Sequence, residues 1–249
     1  MVDDAIEGRP GPPSAAQFAT TRWSLVRAAG DAAAPAAADA LETLCQAYWL
    51  PLYLFVRRQG HEPADAEDLT QAFFERVLEK NYLAQARQEK GRFRSFLLAS
   101  LRHFLSDQRD RRTAVKRGGE AHHLSLDVAV AEATYAQIAS HEETPEKIYE
   151  RQWAMAVLAR AQDRLRAECL AAGKSELYRE LGESDAAAAR ESYAEIGTRF
   201  GMTENAVKLA AFRLRRRYQD LIREEIGETL ARPEEIDEEI RHLLRVLAG

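Results

Sequence analysis

Basic and aromatic side chains alternate between Arg92 and Arg117, and these residue types suit chemistry with phosphate groups. The stretch contains eight Lys or Arg and two acids, an excess of six positive charges in a chain whose formal net charge is −5. Ser95, Arg102 and Arg109 are seven residues apart and share one helix face, while another face is apolar. The pattern predicts either a phosphate-binding surface or an ordinary solvated charged face.

Residues 192–226 form a second constellation, with the spacing of two helices joined by a tight turn. Gly201 suits the turn, Gly197 is small enough for a close approach between the helices, and Thr203 can cap the second helix. From Asn205 to Gln219 this second helix carries five Lys or Arg and no acid. The pattern is typical of a helix-turn-helix that reads DNA, and the alternative is a helical hairpin with a basic exterior.

A third group of charged residues, Asp65, Glu67 and Asp68, crowds the start of a predicted helix, where the helix dipole favours carboxylates. Paired carboxylates also occur in metal sites and in general acid–base catalysis. However, no histidine follows these acids by three or four residues, and no second acidic helix has matching spacing. We therefore expect no metal site here.

Other catalytic signals are weak. The six histidines are scattered, and neither GxSxG nor GxxxxGK[ST] occurs in the sequence. Cys45 and Cys169 are far apart and lack CxxC spacing, which predicts a reducing, cytoplasmic location. We expect no enzymatic activity and no cofactor, and we interpret His122-His123 as a solvated pair.

The composition indicates which elements position these residues. The chain has 249 residues, 46% of them hydrophobic, and long segments rich in Ala, Leu, Arg and Glu, which predict an all-α protein. No apolar run approaches the roughly 18 residues of a membrane span. The start MVDDAIEGRPGPP lacks the pattern of a signal peptide, so we expect neither secretion nor membrane insertion.

The patterning predicts two small helical domains joined by a flexible acidic linker, followed by a helical extension. The predicted segments are a disordered tail 1–17, a first domain 18–112, a linker 113–144, a helix-turn-helix domain 145–226 and an acidic amphipathic extension 227–249. Thr144 and Pro145 suit the start of the second domain. The extension either masks the basic helix or packs on the domain for stability, and nothing indicates an obligate oligomer, so we expect a monomer.

Taken in order, an acidic helix, a basic aromatic helix, a linker and a helix-turn-helix resemble a sigma factor of the extracytoplasmic-function (ECF) group of the sigma-70 family. The resemblance covers about residues 20–226. The segment DAEDLTQAFFERVL resembles the region-2 helix that binds the clamp helices of the RNA polymerase largest subunit, with Ala72 where the family commonly has an acid. The contacts it implies with core polymerase are Asp65, Glu67, Asp68 and Gln71.

Two further segments extend the resemblance to DNA. GRFRSFLLASLRHFLSDQRDRR resembles the part that melts and reads the minus-10 element, and it implies contacts from Arg94, Phe96, Arg102, His103 and Arg109. SYAEIGTRFGMTENAVKLAAFRLRRRYQDLI resembles the region-4 helix-turn-helix that reads the minus-35 element, and it implies contacts from Thr203, Glu204, Asn205, Lys208 and Arg213. Leu209, Ala210 and Phe212 stand where more polar residues are usual.

The resemblance implies a function in transcription initiation. The protein would confer promoter recognition on RNA polymerase core and help to open the minus-10 region, with core polymerase and promoter DNA as partners and an anti-sigma protein as a candidate regulator. The alternative is a sigma-like adaptor or signalling output protein that binds a protein partner instead of promoter DNA. That alternative is favoured by Ala72 and by the apolar residues Leu209, Ala210 and Phe212.

Overall fold

The computed structural model describes residues 37–79, 92–112, 128–138, 143–182, 192–230 and 232–249, and within these ranges the regular elements are all helical. The prediction of an all-α protein is thereby confirmed for the described residues. None of the described helices combines the length and the apolar character that crossing a bilayer requires. The predicted disordered tail 1–17 lies outside the described residues.

Nine α-helices and one short 3-10 turn make up these ranges. They are α1 Ala37–Arg58, α2 Pro63–Glu79, α3 Phe93–Arg112, α4 Val128–Ile138, α5 Pro145–Ala171, α6 Ser175–Gly182, α7 Tyr193–Phe200, α8 Glu204–Gly227, the 3-10 turn Pro233–Glu235 and α9 Ile236–Ala248.

Helix α1 lies at the centre of the larger hydrophobic core. Its five consecutive residues Leu52–Val56 are all fully buried, which requires neighbours on every side of the helix. Helices α2, α4 and α5 pack against α1, and Phe93, Leu97 and Leu101 of α3 join the same core. The apolar sequence from Tyr48 to Val56 therefore places α1 where it anchors the rest of the fold.

Helix α5 connects the two hydrophobic clusters of the described residues. Its 27 residues make a rod about 40 Å long. The first half contributes Tyr149, Trp153 and Val157 to the larger core. The second half contributes to a smaller cluster with α6 and α8, formed by Ala161, Leu165, Cys169, Tyr178 and Leu221.

The start of α5 agrees with the sequence prediction. Thr144 is the N-cap, its hydroxyl accepts a hydrogen bond from the Lys147 amide at 3.3 Å, and Pro145 opens the helix. The larger core nevertheless includes residues on both sides of the predicted boundaries at 112 and 145. The division into domains 18–112 and 145–226 stays a prediction.

Helix α4 lies in the middle of the predicted linker 113–144, where the sequence has only a weak helical pattern, and the linker itself stays a prediction. Glu132 accepts hydrogen bonds from Tyr53 Oη and Arg57 Nε, each at 2.7 Å, and Ala131 and Ile138 are buried. Glu132, one of the acids from which the linker was predicted, thus pairs with Arg57 of α1. Residues 113–127 and 139–142 lie outside the described residues.

Helix α9 packs on α5 and on the C-terminal end of α8. Leu243 is buried in the larger core, and Asp237 pairs with Arg223 of α8 at 2.6 Å. The extension 227–249 begins with the last residue of α8, Gly227, where an added Cβ would lie 3.4 Å from Ile236 Cδ1. This packing supports the interpretation of α9 as a stabilising helix.

Candidate nucleic-acid interface

The basic helix α3 divides its side chains between the core and the surface. Phe93, Leu97 and Leu101 are buried in the larger core, where α3 packs against α2 and the Phe93 ring contacts Tyr48 of α1. On the other side, Arg102, His103 and Arg109 are exposed. Since Arg102 and Arg109 are seven residues apart, they lie on one face of α3, and His103 is adjacent to Arg102.

Arg94, one of the predicted minus-10 contacts, is buried instead of surface-exposed. It is only 3% exposed and pairs with Glu239 of α9 at 2.8 Å and with Glu150 of α5 at 2.5 Å. The Arg94 guanidinium carbon also lies 4.6 Å from the centroid of the Trp153 ring. A buried charge needs such partners, so Arg94 links α3 to α5 and α9 in this structure.

The remaining predicted minus-10 residues have mixed environments. Phe96 is half-buried against the larger core, with its ring centroid 6.2 Å from that of Phe93. Arg102 pairs with Glu146 at the start of α5, and Arg109 Nη2 donates to Gln59 Oε1 at 3.3 Å. Among the five predicted minus-10 residues, the exposed ones are therefore Arg102, His103 and Arg109.

The acidic end of α2 presents three of its four predicted contacts with core polymerase. Asp68 is exposed, and Asp65 and Glu67 are half-buried. Gln71, however, is only 6% exposed, and its Nε2 donates to Glu75 Oε1 at 3.4 Å. The turn from 65 to 68 therefore forms a small acidic surface to which Gln71 adds little area.

Helices α7 and α8 are joined by a tight turn built from the residues that the sequence singled out. Ser192 and Glu195 form a capping box at the start of α7. Gly201 ends α7 with a left-handed φ of +65°, and the Thr203 hydroxyl accepts a hydrogen bond from the Ala206 amide at 3.2 Å. The predicted turn at Gly201 and cap at Thr203 are confirmed, because capping and turn chemistry act within a few residues, whereas the capping box at Ser192 was not predicted.

Gly197 sets the distance between α7 and the turn. A Cβ added at Gly197 would lie 2.6 Å from the Met202 carbonyl oxygen, a backbone atom, which is closer than real Cβ contacts. On α8, the buried residues Val207 and Ala211 face inward. The small glycine thus permits the close approach that fixes the position of α8.

The opposite side of α8 is exposed and carries apolar as well as polar residues. We call Asn205, Leu209, Phe212 and Arg216 the outward face, because they follow helical spacing opposite Val207 and Ala211. Asn205 and Arg216 are exposed, and Leu209 and Phe212 are 48% and 58% exposed. Among the predicted minus-35 contacts, Thr203, Glu204, Asn205, Lys208 and Arg213 are also exposed.

Several basic residues of α8 form ion pairs or hydrogen bonds with other residues of the protein. Arg217 pairs with Glu168 at 2.7 Å and with Glu224 at 2.8 Å, and its hydrogen bond lowers the pKa of Glu168 below its ordinary value of 4.5. Arg215 donates to Tyr193 Oη at 2.8 Å, and Lys208 pairs with Glu204 at 2.6 Å.

Arg213 and Arg216, by contrast, are exposed and form no ion pair with any residue that the structure describes. Both follow Phe212 along the helix, Arg213 directly and Arg216 one turn later. Two cations with no ion pair among the described residues are available to a phosphate backbone.

The buried acid Glu239 is the residue that sequence reasoning missed. It is fully buried and pairs with both Arg92 and Arg94, in each case at 2.8 Å. A signal was present, because Glu239 lies on the apolar stripe of α9 together with Ile236 and Leu243. An acid on an apolar stripe indicates a buried ion pair.

The described residues contain no group of three or more His, Cys, Asp or Glu that could hold a metal ion. His122 and His123 lie outside the described residues. Searches of protein-family models, curated proteins and solved structures find no match to this chain.

Proposed function

We propose that this protein is a sigma factor that confers promoter recognition on RNA polymerase core and helps to open the minus-10 region. The observation that carries the proposal is the α7–α8 pair, in which a tight turn at Gly201 orients an exposed helix with the cations Arg213 and Arg216. A helix held in this way fits the major groove of B-DNA, where its N-terminal residues reach base edges.

The DNA contacts divide between the two basic helices. At the minus-35 element, the first turns of α8 read bases, and the contacts are Thr203, Glu204, Asn205, Lys208 and Arg213. At the minus-10 element, Arg102 and Arg109 bind phosphates while Phe96 and His103 meet unstacked bases, a division that suits single strands. Arg94 supports α3 through its pairs with Glu150 and Glu239.

Binding to core polymerase falls to the acidic surface of Asp65, Glu67 and Asp68 at the start of α2. One exposed and two half-buried carboxylates at one helix end offer a compact negative patch to cationic side chains of a partner. The chain as a whole has a net charge of −5, which weakens its attraction to free DNA. Promoter binding is therefore expected in the complex with polymerase.

Run-off transcription tests the proposal. Purified core polymerase with this protein, on fragments of the source genome, is expected to give defined transcript starts that core alone does not give. Asp68→Ala and Arg213→Ala should each lower that output about tenfold, the scale of one or two lost charged contacts. Matched controls are Asp163→Ala on α5 and Arg223→Ala near the end of α8, both exposed, which should retain the output.

Two results would contradict the proposal. One is the absence of defined starts with a protein whose helical circular dichroism and cooperative melting show that it is folded. The other is an equal loss of transcription output in Arg213→Ala and Arg223→Ala. The loss would then reflect the removal of any positive charge from α8 and not a specific DNA contact of Arg213.

A second candidate function is that of an adaptor that binds a protein partner. The specific observation that favours it is the exposure of Leu209 and Phe212, since large apolar side chains on a surface often mark protein interfaces. DNA-dependent activity distinguishes the two candidates. An adaptor is expected to retain partner binding when no DNA is present and to give no defined starts.

A further inference from the structure

The outward face of α8 presents apolar side chains at its centre, with the cation Arg216 at its end and the cation Arg213 beside it. Leu209 and Phe212 are 48% and 58% exposed, whereas Val207 and Ala211 on the opposite side are 0% and 3% exposed. Leaving two large apolar groups in water is unfavourable, and a partner that removes both from water would be stabilised by their burial.

The charges near Leu209 and Phe212 indicate which kind of partner surface would cover these two side chains. Arg213 and Arg216 lie next to Phe212, and the structure gives them no ion pair among the described residues. From Asn205 to Gln219 the helix has no acid. A surface with apolar groups between two rows of negative charge matches this face, and the DNA major groove is such a surface, with phosphates on both sides.

The apolar group that the major groove offers is the C5-methyl group of thymine, a known partner for apolar side chains. Leu209 and Phe212 are three residues apart, which separates them by about 4.5 Å along the helix axis. Neighbouring base pairs are separated by about 3.4 Å. The two side chains can therefore meet methyl groups on neighbouring base pairs.

We infer that Leu209 and Phe212 determine specificity by contacting thymine methyl groups in the DNA element that α8 binds. The inference rests on the proposed function and deepens it, because it names the bases that the outward face selects. Asn205 at the start of this face and Arg216 at its end then frame the apolar pair, so that a polar contact lies on each side of the two apolar contacts along the groove.

Replacing thymine with deoxyuridine tests the inference, because the exchange removes the methyl group and keeps every hydrogen-bonding group of the base. Synthetic promoter duplexes carry the exchange at one thymine at a time within the upstream element found by run-off transcription. Polymerase with the full-length protein should bind the best-placed uridine duplex about three- to fivefold more weakly, the change expected for burial of one carbon. Fluorescence anisotropy at constant salt measures the affinities.

Variants assign the loss to the two side chains. Leu209→Ala and Phe212→Ala should weaken binding to the thymine duplex and shrink the difference between thymine and uridine, as in a double-mutant cycle. Both positions are exposed, so neither variant should lower the melting temperature appreciably. Leu244→Ala on α9, also a highly exposed leucine, is the matched control and should leave the thymine–uridine difference unchanged.

The outcomes separate this inference from the proposed function. If base-pair changes in the upstream element abolish transcription but uridine binds as tightly as thymine at every position, the methyl inference is overturned and the sigma function stands. If Leu209→Ala weakens thymine and uridine duplexes equally, the face contacts something other than methyl groups and the inference again fails. If no defined start exists, both proposals fail.

Discussion

Arg94 and Glu239 illustrate how a single pair can define the junction of three helices. Both side chains are almost completely buried, and they belong to α3 and α9, 145 residues apart in the sequence. Glu150 of α5 accepts a second hydrogen bond from Arg94 and also lies 3.0 Å from His242 Nε2. Removing one member of such a network leaves another charge buried without compensation.

Glu239→Gln is therefore expected to lower the free energy of unfolding by about 3 kcal/mol, because Arg92 and Arg94 lose their shared carboxylate. Chemical denaturation at neutral pH measures the change. The adjacent Glu238 offers a matched control, because it is 61% exposed and pairs with Arg92 at 3.2 Å. Glu238→Gln should cost less than about 1 kcal/mol, and equal effects at 238 and 239 would contradict this account.

Some properties of single residues can be predicted from the sequence, and others cannot. Thr144, Gly201 and Thr203 were predicted correctly, because caps and turns depend on neighbours within a few residues. Arg94 and Gln71 were predicted to be binding surface and are buried. Their burial depends on helices far along the chain, which neither local patterning nor a family resemblance specifies.

At the scale of elements, the α7–α8 unit depends on a backbone approach. Gly197→Ala is expected to lower the melting temperature and to lower promoter-dependent transcription, because the new methyl group would overlap the Met202 carbonyl oxygen. Overpacking of this kind typically costs about 1–3 kcal/mol. Thermal denaturation followed by circular dichroism and run-off transcription provide the two measurements.

The control is a second glycine-to-alanine substitution, at Gly227 in the last position of α8. At Gly227 an added methyl group would meet only the flexible side chain of Ile236, at 3.4 Å from Cδ1 and 4.0 Å from Cγ1, and alanine restricts the unfolded chain more than glycine does. Gly227→Ala should therefore leave stability unchanged or raise it slightly. A greater loss of stability in Gly227→Ala than in Gly197→Ala would contradict the close approach of Gly197 to the Met202 carbonyl oxygen.

Helix α4 is another element whose position rests on charge, and it predicts a pH dependence. Chiefly through its hydrogen bond from Arg57, the pKa of Glu132 lies below its ordinary value of 4.5. The folded protein therefore binds fewer protons than the unfolded chain just below pH 4.5. The contribution of Glu132 to stability is present above that pH and is lost as the pH falls through the lowered pKa.

Glu132→Gln should accordingly melt at a lower temperature than the unmodified protein at about pH 6, and the difference should shrink as the pH approaches about 3. Melting curves across that range are the measurement. Glu234→Gln, at an exposed acid, should show no such convergence. A constant difference between Glu132→Gln and the unmodified protein at all pH values would show that the carboxylate charge is not what stabilises α4.

At the scale of the whole molecule, α5 and the larger core connect segments that the sequence assigned to separate domains. Trp153 of α5 and Leu243 of α9 share that core with α1. Periodicity identified the helices, but it contains no information about which apolar faces meet. The linker 113–144 was predicted from its acids, and the partner of Glu132 lies 75 residues away.

Removal of residues 232–249 tests the role of α9. We expect the melting temperature to fall by about 10 °C or more, because Leu243 and Glu239 leave the core together. Promoter-dependent transcription per folded molecule should not rise, since the described contacts between α9 and α8 involve Arg223 and Gly227, far from Leu209. A rise would instead support masking of α8 by the extension, and Leu244→Ala serves as the control that leaves the core intact.

Trp153 gives this junction an optical property of its own. Its ring is buried, faces the Arg94 guanidinium at 4.6 Å and lies 6.3 Å from the His242 ring. Trp49 is also buried, but it stacks on Tyr53 within α1. Undocking of α9 would hydrate the Trp153 indole and shift its fluorescence emission to longer wavelength, so a variant with both Trp23→Phe and Trp49→Phe keeps Trp153 as its one tryptophan and follows α9 in real time.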